Sequence, residues 1–289
     1  MAVTQLHLQD RLTRLTLAPE LGASLVNWEV MATGQALLRH SDQAALASGT
    51  PRQLGCYPLA PWSNRIAEGG FARPEGWLPL APNTAHDPYP IHGTAWQQSW
   101  QVDHHSARRA RLMLHSKLPF TYRAVLDVHL HDGCLRLDLH VTHLDEAATW
   151  YGLGFHPYFP RYPDTRLRAT ARHVWLAEEG QLPSYQAEIP QGWTFDAPGP
   201  LPTTVVDHAF GGWPGHCVIE QPSAGYQLEC SASGTEHFLL FCPQGKPFFC
   251  FEPVSHPINA HHLPGRPGLR LLQQGEEMSL GFKMVYRAI

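Results

Sequence analysis

The segment YRAVLDVHLHDGCLRLDLHV, residues 122–141, decides the fold of this chain. Apolar residues stand at every second position in 122–130 and again in 135–141, a period typical of strands with one buried face. Asp132-Gly133 lies between the two runs and is the strongest two-residue signal for a hairpin turn. The sequence therefore predicts an antiparallel hairpin that turns at this dipeptide.

A turn at Asp132-Gly133 also fixes the register of the hairpin. It sets apolar residues opposite one another at four positions: Leu130 with Leu135, Val128 with Leu137, Leu126 with Leu139, and Ala124 with Val141. A slip of one residue would send the paired side chains to opposite faces of the sheet. The apolar pattern and the position of the turn therefore predict the same register. The same register sets Asp127 opposite Asp138, and we expect Arg136 to offset this repulsion by its diagonal position to Asp127.

Strand patterns continue along the chain, and no segment has the dozen or so consecutive helix formers that a long helix needs. The 26 prolines and 24 glycines are spread throughout rather than gathered in a linker. We therefore predict one all-β domain over residues 1–289, a large antiparallel β-sandwich with few short helices. The other strand candidates are residues 14–17, 24–30, 111–115, 218–220, 226–231, 238–241, 248–252 and 278–286.

Four long connections are rich in proline and glycine: residues 49–93, 156–166, 190–215 and 253–270. Loops longer than about 15 residues in a compact domain are usually functional or disordered. The tryptophans, histidines and other aromatics in these four argue against disorder. Three of them begin or end at a residue suspected of chemistry, so we expect the loops to gather at one side of the sandwich.

The composition argues against several classes of partner. The formal charge is −4 and charged residues make up 16%, so no strong field favours nucleic acid or an anionic membrane. An apolar run long enough to span a membrane and a signal-peptide pattern are both absent, which predicts a soluble, cytoplasmic protein. The six cysteines include no CxxC pair and are expected to be reduced thiols.

The 19 histidines raise the question of a metal site. His129 with His131, and His140 with His143, could each bring two imidazoles together. The hairpin places His129 and His131 on its polar face, however, and no third ligand converges on either pair. We therefore predict no metal site.

The segment GLGFHPYFP, residues 152–160, holds a histidine where a strand pattern ends. Pro157 biases the backbone of His156 toward extended geometry, and the aromatic neighbours limit its hydration. An imidazole fixed in this way suits proton transfer, because its ordinary pKa lies near neutral pH. Taken alone, such a residue is more often a core histidine bonded to the backbone.

Glu252 is the complementary candidate, in the segment FFCFEPVSHP, residues 248–257. Strand alternation sends Phe249 and Phe251 to one face and Cys250 and Glu252 to the other. A carboxyl group at a strand end among aromatics tends to have a raised pKa, as a general base requires. The simpler alternative is a solvated strand end.

Three further segments supply polar side chains from the predicted loops. They are PLAPWSNRI (residues 58–66) with Asn64 and Arg65, PIHG (90–93) with His92, and VVDHAF (205–210) with Asp207. Each of these alone could be an ordinary turn or a surface charge.

Taken in this order, the five segments resemble the aldose 1-epimerase (galactose mutarotase) family. The family pattern is Asn-Arg in a Pro-rich loop, then His-Gly, a His-Pro-Tyr-Phe-like segment, an Asp before an aromatic, and a Glu in a Phe-Glu-Pro-like strand end. The resemblance runs from about residue 17 to residue 286. A single motif of this kind has low specificity for the family, but five in the family's order have high specificity. It implies a galactose mutarotase-like sandwich with an open sugar-binding cleft and no cofactor.

By this resemblance, Glu252 is the catalytic base and His156 the catalytic acid, and the partner is a small aldohexose such as galactose or glucose. The sugar-contacting residues would be Asn64, Arg65, His92 and Asp207, while flat apolar surface could come from Trp62, Trp96, Tyr158 and Phe210. The protein would be a monomer or a homodimer. The run Thr94-Ala95-Trp96 and the short chain depart from galactose-specific members, so the identity of the sugar stays open.

The chemistry of ring opening agrees with these residue types. Opening a cyclic hemiacetal takes a proton from the anomeric hydroxyl and delivers one to the ring oxygen, and closure exchanges the roles. A carboxylate, an imidazolium and several hydrogen-bonding groups suffice. We expect Glu252 and His156 to flank one hexose ring, and Arg65 and His92 to line the same cleft as His156.

Three alternatives remain open. A mutarotase for phosphorylated hexoses would need arginines that converge on a phosphate, for which Arg266 and Arg270 are candidates. A sugar-binding or sensor module would not need both Glu252 and His156. A metal-dependent β-barrel enzyme would use the histidines and would lose activity on dialysis against a chelator.

Overall fold

The computed structural model describes residues 3–177 and 182–289, and its strands form two large antiparallel sheets, as predicted. With strands numbered in chain order, the larger sheet has nine. From edge to edge these are β17 (Phe195–Pro200), β14 (Arg166–Ala169), β19 (His216–Gln221), β20 (Tyr226–Ser233), β24 (Glu277–Ala288), β10 (Cys134–His143), β9 (Tyr122–His131), β8 (Arg109–Ser116) and β7 (Gln101–His105).

The second sheet has eight strands. In order they are β16 (Tyr185–Ala187), β15 (His173–Leu176), β18 (Val206–Gly211), β21 (His237–Cys242), β22 (Phe248–Val254), β12 (Gly154–Phe155) and β4 (Pro58–Leu59), while β13 (Tyr158–Pro160) pairs with β22 beside β12. Small sheets are formed by β1 (Leu6–Gln9), β2 (Thr13–Ala18) and β3 (Ser24–Val30), by β5 (Gly70–Arg73) and β6 (Gly76–Pro79), and by β11 (Thr149–Tyr151) and β23 (Arg270–Leu272).

Helices are short in the described residues. They are α1 (Gln43–Ala47) and four 3₁₀ turns at Pro51–Gln53, Ala95–Gln97, Pro222–Ala224 and Ala260–His262. Among residues 3–177 and 182–289, no helix has the length and apolar character that crossing a bilayer requires.

The main core lies between the two large sheets. Leu126 and Leu139 of the nine-stranded sheet share one buried cluster with Phe249 and Phe251 of the eight-stranded sheet. All four side chains are fully buried. The sandwich therefore has an inner, apolar face on each sheet and an outer face that is free for other contacts.

The hairpin at Asp132-Gly133 is confirmed in both turn and register. Both turn residues have positive φ, 49° and 72°, as a type I′ turn requires. The four apolar pairs face one another across β9 and β10, and every one of these eight side chains is buried. The eight other strand candidates also coincide with strands of the structure.

Asp127 does face Asp138, but Arg136 does not offset the repulsion toward Asp127 as predicted. Arg136 donates to Asp138 instead, with Nε 2.7 Å from Oδ2. Asp127 is bound by Arg111 of the neighbouring strand β8, through two hydrogen bonds of 2.8 and 2.9 Å. Each carboxylate thus has its own arginine, because β8 supplies a partner that the hairpin alone did not reveal.

The predicted loops were partly wrong, because they contain short strands. Residues 190–215 include β17 and β18, and Asp207 lies on β18 rather than in a loop. Residues 49–93 include β4, β5 and β6, and 156–166 begins with β13. Strands of two to six residues interrupted by proline and glycine give little alternation to detect.

Candidate active site

The outer face of the eight-stranded sheet carries the first part of the site. On β22 the side chains alternate, so Phe249 and Phe251 enter the main core while Cys250 and Glu252 point to the other face, as predicted. Glu252 is only 1% exposed. A buried carboxyl group on a mainly apolar sheet face is costly, which makes it a candidate for function.

The pairing of strands brings further polar groups to this same face. Asp207 on β18 pairs with Phe241 on β21, and Phe241 pairs with Cys250 on β22. Cys250 in turn pairs with Tyr158 on β13. Residues directly opposite in a sheet point to the same side, so Asp207 and Tyr158 share the face of Cys250.

His156 lies between β12 and β13 and contacts Glu252. Its backbone N–H donates to Tyr57 O at 2.9 Å, and its Nε2 is 3.3 Å from Glu252 Oε1. Among the described residues, His156 Nδ1 and Glu252 Oε2 have no hydrogen-bond partner although both atoms are buried. The two groups therefore stand side by side, rather than across a gap as wide as the hexose ring that we expected them to flank.

Aromatic rings surround the imidazole. The rings of Tyr57 and Tyr158 lie 4.8 and 4.7 Å from that of His156 and are nearly parallel to it. Trp96 stacks on Tyr57 at 5.5 Å. We call these four residues, Tyr57, Trp96, His156 and Tyr158, the aromatic cluster.

Two guanidinium groups border the aromatic cluster. The guanidinium carbon of Arg39 lies 3.7 Å from the centre of the Tyr158 ring, and that of Arg52 lies 5.5 Å from the centre of the Trp96 ring. Arg39 also donates to the backbone carbonyls of Arg52 and Leu54 at 2.6 Å each. Its charge is thus held in place next to the rings that contact His156.

The loops that carry Asn64 and His92 are bound to each other. The Asn64 N–H donates to His92 Nδ1 at 3.1 Å, and the His92 N–H donates to Asn64 O at 3.0 Å. Because Nδ1 is the acceptor, the neutral imidazole of His92 carries its proton on Nε2. His92 therefore presents an N–H donor beside His156, whose ring centre is 5.2 Å away.

Arg65 is oriented by two carboxylates. Its Nε is 2.7 Å from Asp87 Oδ2, and its Nη1 is 3.6 Å from Asp207 Oδ2. Its backbone forms an antiparallel bridge with Ile91, next to His92. The remaining guanidinium donors are thereby held over Asp207 with little freedom.

These groups line one cavity of about 180 Å³. The predicted residues that line it are Asn64, Arg65, His92, His156, Tyr158, Asp207 and Glu252. The expectation that Arg65 and His92 share a cleft with His156 therefore agrees with the structure. The cavity also includes residues that the sequence did not single out: Arg52, Tyr57, Ile91 and Phe241.

Three predicted aromatic residues do not line this cavity. Trp96 is buried behind Tyr57 and lines a neighbouring cavity instead. Trp62 and Phe210 belong to the main core between the sheets, with 1% and 0% of their surface exposed. Among the proposed aromatics, only Tyr158 faces this space, because Trp62 and Phe210 pack into the main core and Trp96 packs behind Tyr57, positions that the sequence did not reveal.

Burial controls the charge of the catalytic candidates. Burial, with the nearby cations Arg39 and Arg52, lowers the pKa of His156 to about 3. Burial raises the pKa of Glu252 well above its usual value, with a further contribution from Asp207 that Arg65 opposes. Both shifts therefore favour a neutral imidazole beside a carboxylic acid, not the imidazolium and carboxylate expected from the sequence.

The structure also bears on the question of a metal. Ligand atoms of His156, Cys250 and Glu252 lie within 4.8 Å of one another. Burial raises the pKa of the Cys250 thiol and of the Glu252 carboxyl, which opposes the deprotonated forms that bind metal. His143, from the histidine pairs considered earlier, uses both ring nitrogens in hydrogen bonds, Nδ1 with the Tyr151 hydroxyl and Nε2 with Ala147 O.

Sequence reasoning missed four residues in or next to the site, of which Arg52 and Tyr57 line the cavity while Arg39 and Asp87 contact residues that do. Arg39, Arg52 and Asp87 stand outside the five motifs, and Tyr57 precedes the Pro-rich loop by one residue. Only Tyr57 had a signal in the sequence, because it directly precedes PLAPWSNRI, residues 58–66, which was already a candidate segment. The arginines gave no signal because their contacts depend on long-range packing.

Comparisons with known proteins agree with this fold. A family model described as aldose 1-epimerase matches residues 5–285. The chain is 34% identical over 247 residues to an uncharacterized Escherichia coli K12 protein, YphB, which covers 81% of this chain and 85% of that protein.

Solved structures give the same result. A crystal structure from Escherichia coli K12, provisionally assigned as an aldose 1-epimerase, is 29% identical and superposes with a TM-score of 0.92 over 99% of this chain and 100% of the other. A galactose mutarotase-like protein from Clostridium acetobutylicum shares the fold, at 16% identity and a TM-score of 0.83 over 96% and 93%. The fold is thus that of aldose 1-epimerase-like and galactose mutarotase-like proteins. The chain belongs to the aldose 1-epimerase family.

Proposed function

We propose that this protein interconverts the α and β anomers of a free aldohexose by general acid–base ring opening and closure. The observation that supports this most directly is the His156–Glu252 pair, 3.3 Å apart in a small polar cavity. The anomeric hydroxyl oxygen and the ring oxygen are bonded to the same carbon. Two adjacent proton-transfer groups can therefore reach both oxygens at once.

The pair holds one proton that can sit on either partner. In the neutral form Glu252 is the acid and His156 the base, and transfer of the proton across 3.3 Å gives the carboxylate and imidazolium. In that second form Glu252 takes the proton of the anomeric hydroxyl, while His156 protonates the ring oxygen. Because mutarotation runs in both directions, the two groups exchange roles in each turnover, and the titration belongs to the pair.

The remaining cavity groups would orient the sugar. The His92 Nε2–H and the Arg65 guanidinium are donors, the Asp207 carboxyl can accept, and the amide of Asn64 lies beside them. The Tyr158 ring offers an apolar surface to the C–H face of a hexose. Arg266 and Arg270, the candidates for binding a phosphate, do not line this cavity, which favours a free sugar.

Polarimetry on freshly dissolved α-glucose and α-galactose tests the proposal. Glu252→Gln or His156→Asn should slow mutarotation by roughly 10²–10⁴-fold, the usual contribution of one positioned proton-transfer group. The affinity for the sugar should change far less, because other residues supply the hydroxyl contacts. Glu229→Gln, an exposed glutamate on β20, is the matched control and should keep the wild-type rate.

A near-normal rate for Glu252→Gln would refute the mechanism. A wild-type protein that binds glucose without accelerating the change in rotation would instead be a sensor.

Dialysis against a chelator gives an independent test. The rate should be unchanged, since no step above requires a metal and burial raises the pKa values of Cys250 and Glu252, which opposes metal binding. A loss of activity that zinc restores would show that His156, Cys250 and Glu252 bind a metal.

A further inference from the structure

A histidine from a distant segment holds the residue that directly precedes Asn64 and Arg65. The Nε2 atom of His256, which is 2% exposed, accepts the backbone N–H of Ser63 at 3.0 Å. Its Nδ1 lies 2.8 Å from Pro257 O. Because a carbonyl can only accept, the proton of the neutral ring is on Nδ1. The tautomer of His256 is therefore fixed, and its unprotonated nitrogen is the one that binds Ser63.

This contact is buried and closely fitted. Ser63 is 1% exposed, so its N–H would lack a partner without the imidazole, and an unpaired buried donor is costly. The edge of the ring lies against Gly152, where a Cβ would be 2.0 Å from His256 Cδ2. The Gly152 N–H in turn donates to Pro61 O at 2.8 Å. The chain just before Asn64 is thus bound from two directions.

Asn259 binds the same loop on the other side of the site residues. Its N–H donates to Arg65 O at 3.1 Å, and its Oδ1 accepts the Ala67 N–H at 2.9 Å. The segment 252–259 therefore carries both the catalytic candidate Glu252 and the groups that anchor the loop of sugar-binding candidates. The position of that loop is tied to the position of the carboxyl group.

We propose that His256 is a positioning residue that holds Asn64 and Arg65 in the orientation that binds the sugar. This inference rests on the proposed function and assigns a residue that supports the same site. His256 does not line the cavity, so it neither contacts the sugar nor exchanges a proton with it. Its loss should therefore weaken the binding of the sugar more than it slows proton transfer.

The alternative is that His256 stabilises the fold and nothing more. His143 provides the matched case, because it is fully buried, uses both ring nitrogens in hydrogen bonds and does not line the cavity. If both histidines only stabilise the fold, loss of either should lower stability and leave KM unchanged. A positioning role predicts a change of KM for His256 alone.

The test compares kcat and KM for glucose and galactose by polarimetry. His256→Asn keeps a donor near the position of Nδ1 but has no acceptor within reach of Ser63, whereas His256→Gln places an acceptor near the position of Nε2. His256→Asn should raise KM about tenfold or more, the usual effect of one unpaired buried donor, and change kcat by less than about threefold. His256→Gln should restore most of the wild-type KM. His143→Asn should lower the midpoint of urea unfolding and leave KM unchanged.

If His256→Asn does not fold, His256→Met takes its place, since Met fills a similar volume and its sulfur is only a weak acceptor. A wild-type KM in the folded variant without the acceptor, or an equal rise of KM in His256→Gln, would overturn the positioning role and leave the proposed function intact. An equal rise of KM in His143→Asn would overturn it as well. A wild-type protein that accelerates the mutarotation of neither sugar would overturn the proposed function and, with it, this inference.

Discussion

At the scale of single residues, the environment of His156 matters more than its identity. The imidazole packs on two tyrosine rings, and Arg39 sits against one of them. The two ring distances place the Arg39 guanidinium carbon no more than about 8.4 Å from the imidazole centre. Arg39 has no carboxylate partner among the described residues, so its charge acts on the cavity without compensation.

Removing the charge of Arg39 should therefore shift the pH dependence of kcat/KM. Arg39→Met is expected to raise the pKa values of the His156–Glu252 pair and to shift both limbs of the kcat/KM profile up by about one pH unit. The other ionisable groups around the His156–Glu252 pair remain in place in this variant: Tyr57, His92, Tyr158, Asp207, Cys250, Arg52 and Arg65. Polarimetry across the pH range and ¹⁵N NMR of the histidine ring give the two readouts.

Arg39→Lys keeps the charge and should restore most of the profile. Arg266→Met is the matched control, because Arg266 also lies over an aromatic ring, Trp150 at 4.8 Å, but away from the cavity. An Arg39→Met profile that falls in height without moving in pH would mean that Arg39 has only a packing role.

At the scale of elements, the site depends on two loops that touch at Gly93. This glycine has a φ of +65°, and a Cβ there would lie 2.1 Å from Ala60 O. The Ala60 carbonyl accepts from the N–H groups of Thr94 and Ala95 at 3.0 Å each. The close approach of these two segments is what places His92 against Asn64.

Gly93→Ala should therefore reduce activity strongly. The methyl group must displace the 60–64 segment or the turn that carries His92, so kcat/KM should fall at least 100-fold, as expected when catalytic geometry shifts by about 1 Å. Gly34→Ala is the control, since Gly34 also has positive φ but nothing lies within 4 Å of its Cβ position. It should cost only about 1 kcal/mol of stability, measured by urea unfolding.

Sequence reasoning succeeded for elements whose signal is local. The β9–β10 hairpin carries its pattern and its turn within 20 residues, so its register was predictable. The partners of Asp127 and Arg65 were not, because β8 and Asp87 reach them only through the tertiary fold. Motif order located the polar cavity, but which aromatic rings face it depends on packing between segments far apart in the chain.

At the scale of the whole molecule, many buried histidines should make the fold sensitive to acid. Burial lowers the pKa of seven: His92, His156, His173, His208, His237, His256 and His261. Those of His237 and His256 fall to about 4. Among the carboxyl groups of the described residues, Glu252 and Asp207 alone have raised pKa values, which act in the opposite sense.

The sign follows from proton binding. Above the ordinary histidine pKa of about 6.5, the imidazoles are neutral whether or not the chain is folded. As the pH falls toward 4, the unfolded chain takes up protons that the folded protein does not, so the free energy of unfolding falls. We expect one cooperative urea transition whose midpoint decreases steadily from pH 7 to pH 4.5.

His261→Phe should make the free energy of unfolding less dependent on pH. Both ring nitrogens of His261 are buried without a partner among the described residues, and Phe71 packs against the ring at 4.2 Å. The slope should decrease by up to about 1.4 kcal/mol per pH unit. His104→Asn, at an exposed position on β7, should leave the slope unchanged, and an unaltered slope in His261→Phe would contradict the prediction.

The position of β24 has a consequence for synthesis on the ribosome. This strand lies between β10 and β20 and joins the two halves of the nine-stranded sheet, yet all other strands of the structure are translated before it. About 130 residues separate β10 from β24, which at ~5–20 residues per second is on the order of 10 s. During that time the nascent chain exposes the unpaired edge of β10, so chaperone capture should be strongest just before residues 277–288 leave the exit tunnel.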